Sequence, residues 1–598
     1  MAGMKQFWLT VFGSIVGVIA GALICITFLI FLIGGLIGAA LEDAGDAALT
    51  SPGRNMVLTL DLRTPRLDQP SASPFAFAEP LSMVELSRAL EHARTDSRVS
   101  AVFVRANTLS LPAAQAEEIS ALLAALSDAG KPVIAHAQGF EGGSVLPYLA
   151  VGGADEIWMQ DTASFTAVGL AVETLFLGGL FEQFGVEPQM IQLHEYKNAA
   201  DTLTRDGYTD AHREATLSWL GSIYEVALET IAPARGLEVE TLRSRLEAGP
   251  YSAEEALDLG LIDRLGHAAE ARQSVLDRAG SGSSLVEIAV YHRQMTPPAA
   301  PQAPVIALIE AQGDIVTGAS EAGFGAVSVG GDTLADALDA AARAPDVAAI
   351  ILRIDSPGGS PIASDQIWDA VMRARQSGTP VIASMGAMAA SGGYYIAAPA
   401  DRIIANASTL TGSIGMFGGK FVIDEALGRV GLNLEPLHVG GEYALAQSVS
   451  QPWSEAQEAG YRALAEDVYE DFTRRAAEGR DLPLARIQTL ARGRVWTGRQ
   501  ALELGLVDEI GGFGAALASA RELAGLSANQ PVRLKRYPAR PDGLEALQAL
   551  LGVSVEGVES AAALNRLIRS PQAQALLRAQ SRLEAEEASL TAPQEAPR

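Results

Sequence analysis

The chain has 598 residues, 48% of them hydrophobic, a formal net charge of −27 and one cysteine. Its length and apolar content suffice for more than one core. The acidic balance excludes a nucleic-acid binder, which needs basic stripes for phosphates, and the lone Cys25 excludes a disulfide scaffold or a multi-cysteine metal site.

Residues 1–6 carry Lys5, and Phe7 to Leu41 then run without a charge. That run exceeds the ~20 apolar residues that span a bilayer and the ~7–15 of a cleavable signal core, so 7–41 is predicted to be a transmembrane anchor. Lys5 precedes it and Glu42, Asp43 and Asp46 follow it. The charge bias puts residues 1–6 in the cytoplasm and the bulk of the chain on the other side.

A first domain is predicted over 55–290. The runs VLTLDL (57–62), VSAVFV (99–104) and PVIAHA (132–137) read as strands, and AEEISALLAALSDA (116–129) as a helix. SGSS at 281–284 and the prolines of TPPAAPQAP at 296–304 mark a boundary. A second domain follows over 304–525, with strands at 305–310, 347–354 and 380–385 and helices at 334–344 and 364–376. Residues 526–598 read as a helical extension ending in a disordered tail. Strands alternating with helices predict an α/β fold of βαβ units on largely parallel sheets.

The two domains restate one plan. GKPVIAHA at 130–137 recurs as GTPVIASM at 378–385, and YSAEEALDLGLID at 251–263 as WTGRQALELGLVD at 496–508. A period of about 248 residues is far longer than the ~20–50 of a solenoid and fits a duplicated domain. The copies differ where chemistry is possible. The first has Lys197 in HEYK where the second has Ala444 in GEYA; the second has Ser391 in AASGG where the first has Ser144 and Val145.

Three features of the second copy belong together. SPGGS at 356–360 follows a strand and precedes a helix, so its glycine N–H groups can face an anionic oxygen. Ser391, at the start of a helix, would ordinarily be an N-cap. The two glycines after it leave its hydroxyl accessible and free the Gly392 N–H near the helix's positive end. Ser413, in STLTGSIG, adds a hydroxyl on a Gly-flanked turn. A serine nucleophile needs a base. His194 is the best-placed histidine, and Lys197 can serve if burial lowers its usual pKa of ~10.4. The first copy has VSAVFVRANTLSL (99–111) in place of VAAIILRIDSPGG (347–359), so it lacks the double glycine as well as the serine.

SPGGS, AASGGYYIA, STLTGSIG and EYKNA with the TRD after it together resemble the long, tandem-repeat signal peptide peptidases of serine protease family S49. The resemblance covers about 55 to 525. It implies two tandem Clp protease/crotonase-like domains after a membrane anchor, with a Ser–Lys dyad. It carries Ser391 over as nucleophile, Lys197 as general base, Ser413 as support for the lysine, and the Gly359 and Gly392 amides as oxyanion hole. It implies no metal or nucleotide cofactor, a homotetramer at the bacterial inner membrane with its catalytic part on the periplasmic side, and cleaved signal peptides or other apolar peptides as substrates. The residues alone leave open a crotonase-like acyl-CoA enzyme, an inactive scaffold, and a Ser–His protease using His194. They also leave open whether serine and lysine meet within one chain or between neighbours.

Overall fold

The computed structural model describes residues 55–70, 80–106, 111–295, 302–321, 327–528 and 530–539. The predicted anchor at 7–41 and the tail beyond 539 lie outside the described residues. Among the described residues, no helix is long and apolar enough to cross a membrane.

Each copy is built on a parallel sheet. In the first, the strands lie in the order Arg264–Leu265, Glu156–Met159, Val133–Ala137, Val99–Arg105, Met56–Asp61, Ser284–Glu287. The second repeats that order with Glu509–Ile510, Arg402–Ala405, Val381–Ala390, Val347–Ser356, Val305–Gln312 and Arg533–Tyr537. Helices cover both faces, so the central strands are apolar without alternation. In Val347–Ser356, Ile350, Leu352 and Ile354 enter one core, while Ala349 and Ile351 enter the other.

Two predicted boundaries move. SGSS at 281–284 is not a domain boundary but the turn leading into edge strand Ser284–Glu287, and the first domain runs on through helix Ile288–Gln294. The second domain extends past 525, because Arg533–Tyr537 pairs in parallel with Val305–Ile309. Its sequence, RLKRY, is charged because it lies at a sheet edge, where lysine and arginine deter further pairing.

The copies interlock. Strand Glu187–Gln192 of the first pairs antiparallel with Phe417–Val422 of the second. Elsewhere between the copies, Arg353 of the second sheet is 1% exposed and binds Asp68 of the first copy through Nε at 2.8 Å. Glu118 approaches the same guanidinium at 3.6 Å and accepts from the Phe513 N–H at 2.9 Å. Glu117 accepts from the N–H groups of Ala407 and Ser408. These bonds set one copy at a fixed height on the other, which brings the Lys197 loop over the second sheet.

Candidate active site

Strand Val381–Ala390 delivers Ser391 to the start of helix Gly392–Ala397. The residue sits at φ 52°, ψ −119°, a region that costs a non-glycine residue ~1–3 kcal/mol. Its amide donates to the Gly412 carbonyl at 2.9 Å, which fixes the turn. The N-cap reading fails, since the Ser391 side chain makes no capping hydrogen bond. Its Oγ is instead 3.0 Å from Lys197 Nζ.

Lys197 comes from the other copy, in the loop after strand Glu187–Gln192. Only 3% of it is exposed, so it is not a solvated surface charge. Its amine donates to the Ser413 carbonyl at 2.7 Å and lies 3.0 Å from Ser413 Oγ. Burial alone brings the amine down to about 7, so near neutrality much of it is uncharged and can accept a proton. The lysine and the serine meet within one chain. His194 does not join them: it lies at the surface with its ring against Tyr469, centroids 4.8 Å apart.

The turn Pro357–Gly359 closes over Ser391. A side chain at Gly358 (φ 111°) would put its Cβ 2.7 Å from the Gly392 nitrogen, so only glycine lets the two backbones meet. Ile315 takes the neighbouring hydrogen bonds, donating to the Gly358 carbonyl and accepting from Ser360 N–H. Among the described residues, neither the Gly359 nor the Gly392 amide has an acceptor, and both residues line the cavity that holds Ser391. That cavity, of about 570 Å³, is lined by Tyr395, Phe472, Met416 and Phe417 of the second copy and by Ala215 and Trp219 of the first.

Sequence reasoning missed the segment that holds the lysine loop from below. Residues 492–494 of the second copy run beneath Glu195–Lys197, with the Arg492 carbonyl accepting from Tyr196 N–H. The signal was the departure of ARGRVW from LEAGPY at the matching place of the first copy.

The family model for Peptidase family S49 matches the chain twice, over residues 125–281 and 373–527. Protease 4 of Salmonella typhi is 32% identical over 74% of this chain and 72% of its own length. Protease 4 of Haemophilus influenzae is 30% identical over 74% and 73%. The chloroplastic serine protease SPPA of Arabidopsis thaliana is 29% identical over 85% and 75%.

Proposed function

The chain belongs to peptidase family S49, and from that premise we propose that it is a membrane-anchored serine endopeptidase working through a Ser391–Lys197 dyad. The observation that carries the reading is the 3.0 Å contact between a strained serine and a buried, partnered lysine contributed by opposite copies. Ser391 Oγ attacks the scissile carbonyl while neutral Lys197 takes its proton. The developing oxyanion is held by the Gly359 and Gly392 N–H groups. The protonated lysine then gives its proton to the leaving amine, and a water activated by the same amine releases the acyl group. Ser413 keeps the amine aimed at Ser391.

The substrate in this reading is an extended apolar peptide, such as a cleaved signal peptide. The aromatic and aliphatic walls of the cavity suit apolar side chains, and an anchor at 7–41 would hold the site beside the inner membrane on its periplasmic side. The reading includes a homotetramer. What supports association is an unused copy of the ribbon. Residues 171–176 stand where the second copy has Phe417–Val422, and 435–440 where the first has Glu187–Gln192, yet neither is in a strand. Exposed Val172, Leu175, Leu437 and Val439 lie along them. A sedimentation mass of one chain would exclude the tetramer.

The dyad is tested by Ser391→Ala and Lys197→Ala in the full chain. Each variant keeps its fold by circular dichroism and loses cleavage of an apolar fluorogenic peptide, and a serine-directed fluorophosphonate labels the wild type at Ser391. Cleavage by either variant at the wild-type rate would sink the reading.

A further inference from the structure

A general base is useful only if it is held at the right height, and Lys197 sits on a loop rather than on a helix or strand. Three consecutive residues of the other copy grip that loop. Arg492 makes a bidentate pair with Glu195, Nε to Oε1 at 2.8 Å and Nη2 to Oε2 at 2.7 Å. Gly493, at φ 85°, presses against the lysine backbone so closely that a Cβ there would lie 2.5–2.6 Å from Lys197 N, Cα and Cβ. Arg494 lies over the Tyr196 ring at 5.1 Å and pairs with Glu214 at 2.7 and 2.8 Å.

Two of the three also grip the serine side. Gly493 N–H donates to the Ile414 carbonyl at 2.9 Å, and the Arg494 carbonyl accepts from Ser413 N–H at 2.8 Å. One short segment therefore joins the turn of Ser413, which binds the lysine amine, to the backbone that carries the lysine. The half-exposed Arg492–Glu195 pair contributes little to folding. Its two parallel bonds fix orientation, which a single point charge does not. The first copy has Glu247, Ala248 and Gly249 in this register, so neither arginine nor the contact glycine is part of the shared scaffold.

We propose that Arg492, Gly493 and Arg494 are positioning residues that set the Lys197 amine against Ser391 and keep water from it. The proposal rests on the Ser–Lys reading and adds to it the device that makes the lysine a base. The charged and titratable groups around the lysine loop are His194, Glu195, Arg492, Arg494, Glu214 and Tyr469, with Asp314 and the His212–Asp201 pair on the cavity side. None of them contributes to lowering the amine, which comes from burial alone. Loosening the grip therefore acts through water reaching the lysine.

The test measures kcat, KM and the pH dependence of fluorophosphonate labelling of Ser391 in full-length Gly493→Ala, Arg492→Gln, Arg492→Lys and the exchange Glu195→Arg with Arg492→Glu. For Gly493→Ala, kcat falls ~100-fold with KM nearly unchanged, the cost of about 1 Å of misplacement. The acid limb of the labelling profile moves up by about one pH unit as the amine regains water. Arg492→Gln gives a smaller loss in the same direction, while Arg492→Lys and the charge exchange recover part of it. Should Gly493→Ala fail to fold, the Arg492 series decides. Folded variants whose acid limb stays in place, with Lys197→Ala inactive, overturn the clamp and leave the dyad standing. Activity in Lys197→Ala overturns both.

Discussion

The two copies share the bonds that hold the fold and differ at the groups that could do chemistry. Tyr148 donates to the Leu261 carbonyl in the first, and Tyr394 to the Leu506 carbonyl in the second. Asp155 caps Val133 N–H as Asp401 caps Val381 N–H, and Asp263 and Asp508 accept from Ile157 and Ile403 in the same way. Against that constancy, Val145 stands in place of Ser391, Ala167 in place of Ser413, and Ala248 in place of Gly493. Conversely, the second copy has exposed Ala444 where the first has buried Lys197. A duplicated scaffold can lose half a site from each copy, provided the copies dock so that the remaining halves meet.

Putting apolar residues of the kind found in the first copy into the second tests this division. The largest effect is expected at the nucleophile: Ser391→Ala lowers kcat by ~10⁴-fold or more, read by peptide cleavage, without changing the melting temperature by more than a few degrees. The docking contact comes next. Asp68→Ala leaves the Arg353 guanidinium buried without its bidentate partner, and urea unfolding should show a loss of about 3–5 kcal/mol. An unchanged midpoint would mean that the copies are not held by this pair.

The lysine itself gives a pH signature of definite sign. An unfolded lysine titrates near ~10.4, whereas burial holds Lys197 at about 7. Between those values the unfolded chain binds the extra proton, so stability rises with pH across the window and the penalty is complete below it. Lys197→Met should therefore raise the melting temperature by roughly 5 °C at pH 7, with the gain shrinking as pH approaches ~10. In the wild type, kcat/KM should climb through about 7 as the amine loses its proton. The smallest effect is Ser413→Ala, which copies Ala167. It should lower kcat only about tenfold, because the 2.7 Å bond from the lysine to the residue 413 carbonyl survives.

Much of the site was legible in the sequence because its parts are local. A strand followed by AASGG, or by SPGG, builds a turn from neighbouring residues, and the repeat period exposed Lys197 as an asymmetry between copies. The Arg353–Asp68 pair and the grip of residues 492–494 on the lysine loop were not legible. Their partners are 285 and 297 residues apart, and nothing in either segment names the other. Edge strand Arg533–Tyr537 was missed because its charged residues suit an exposed edge and hide the apolar pattern of a strand.

The sequence by itself determined two parallel-sheet domains, their repeat, and the residue types available for catalysis, since periodicity and turn chemistry act over a few neighbours. Only the tertiary structure decided that Lys197 and Ser391 meet in one chain, that the lysine is dry enough to be a base, and which residues hold it there. Burial and orientation depend on how the copies dock, and docking is the sum of contacts between residues far apart along the chain.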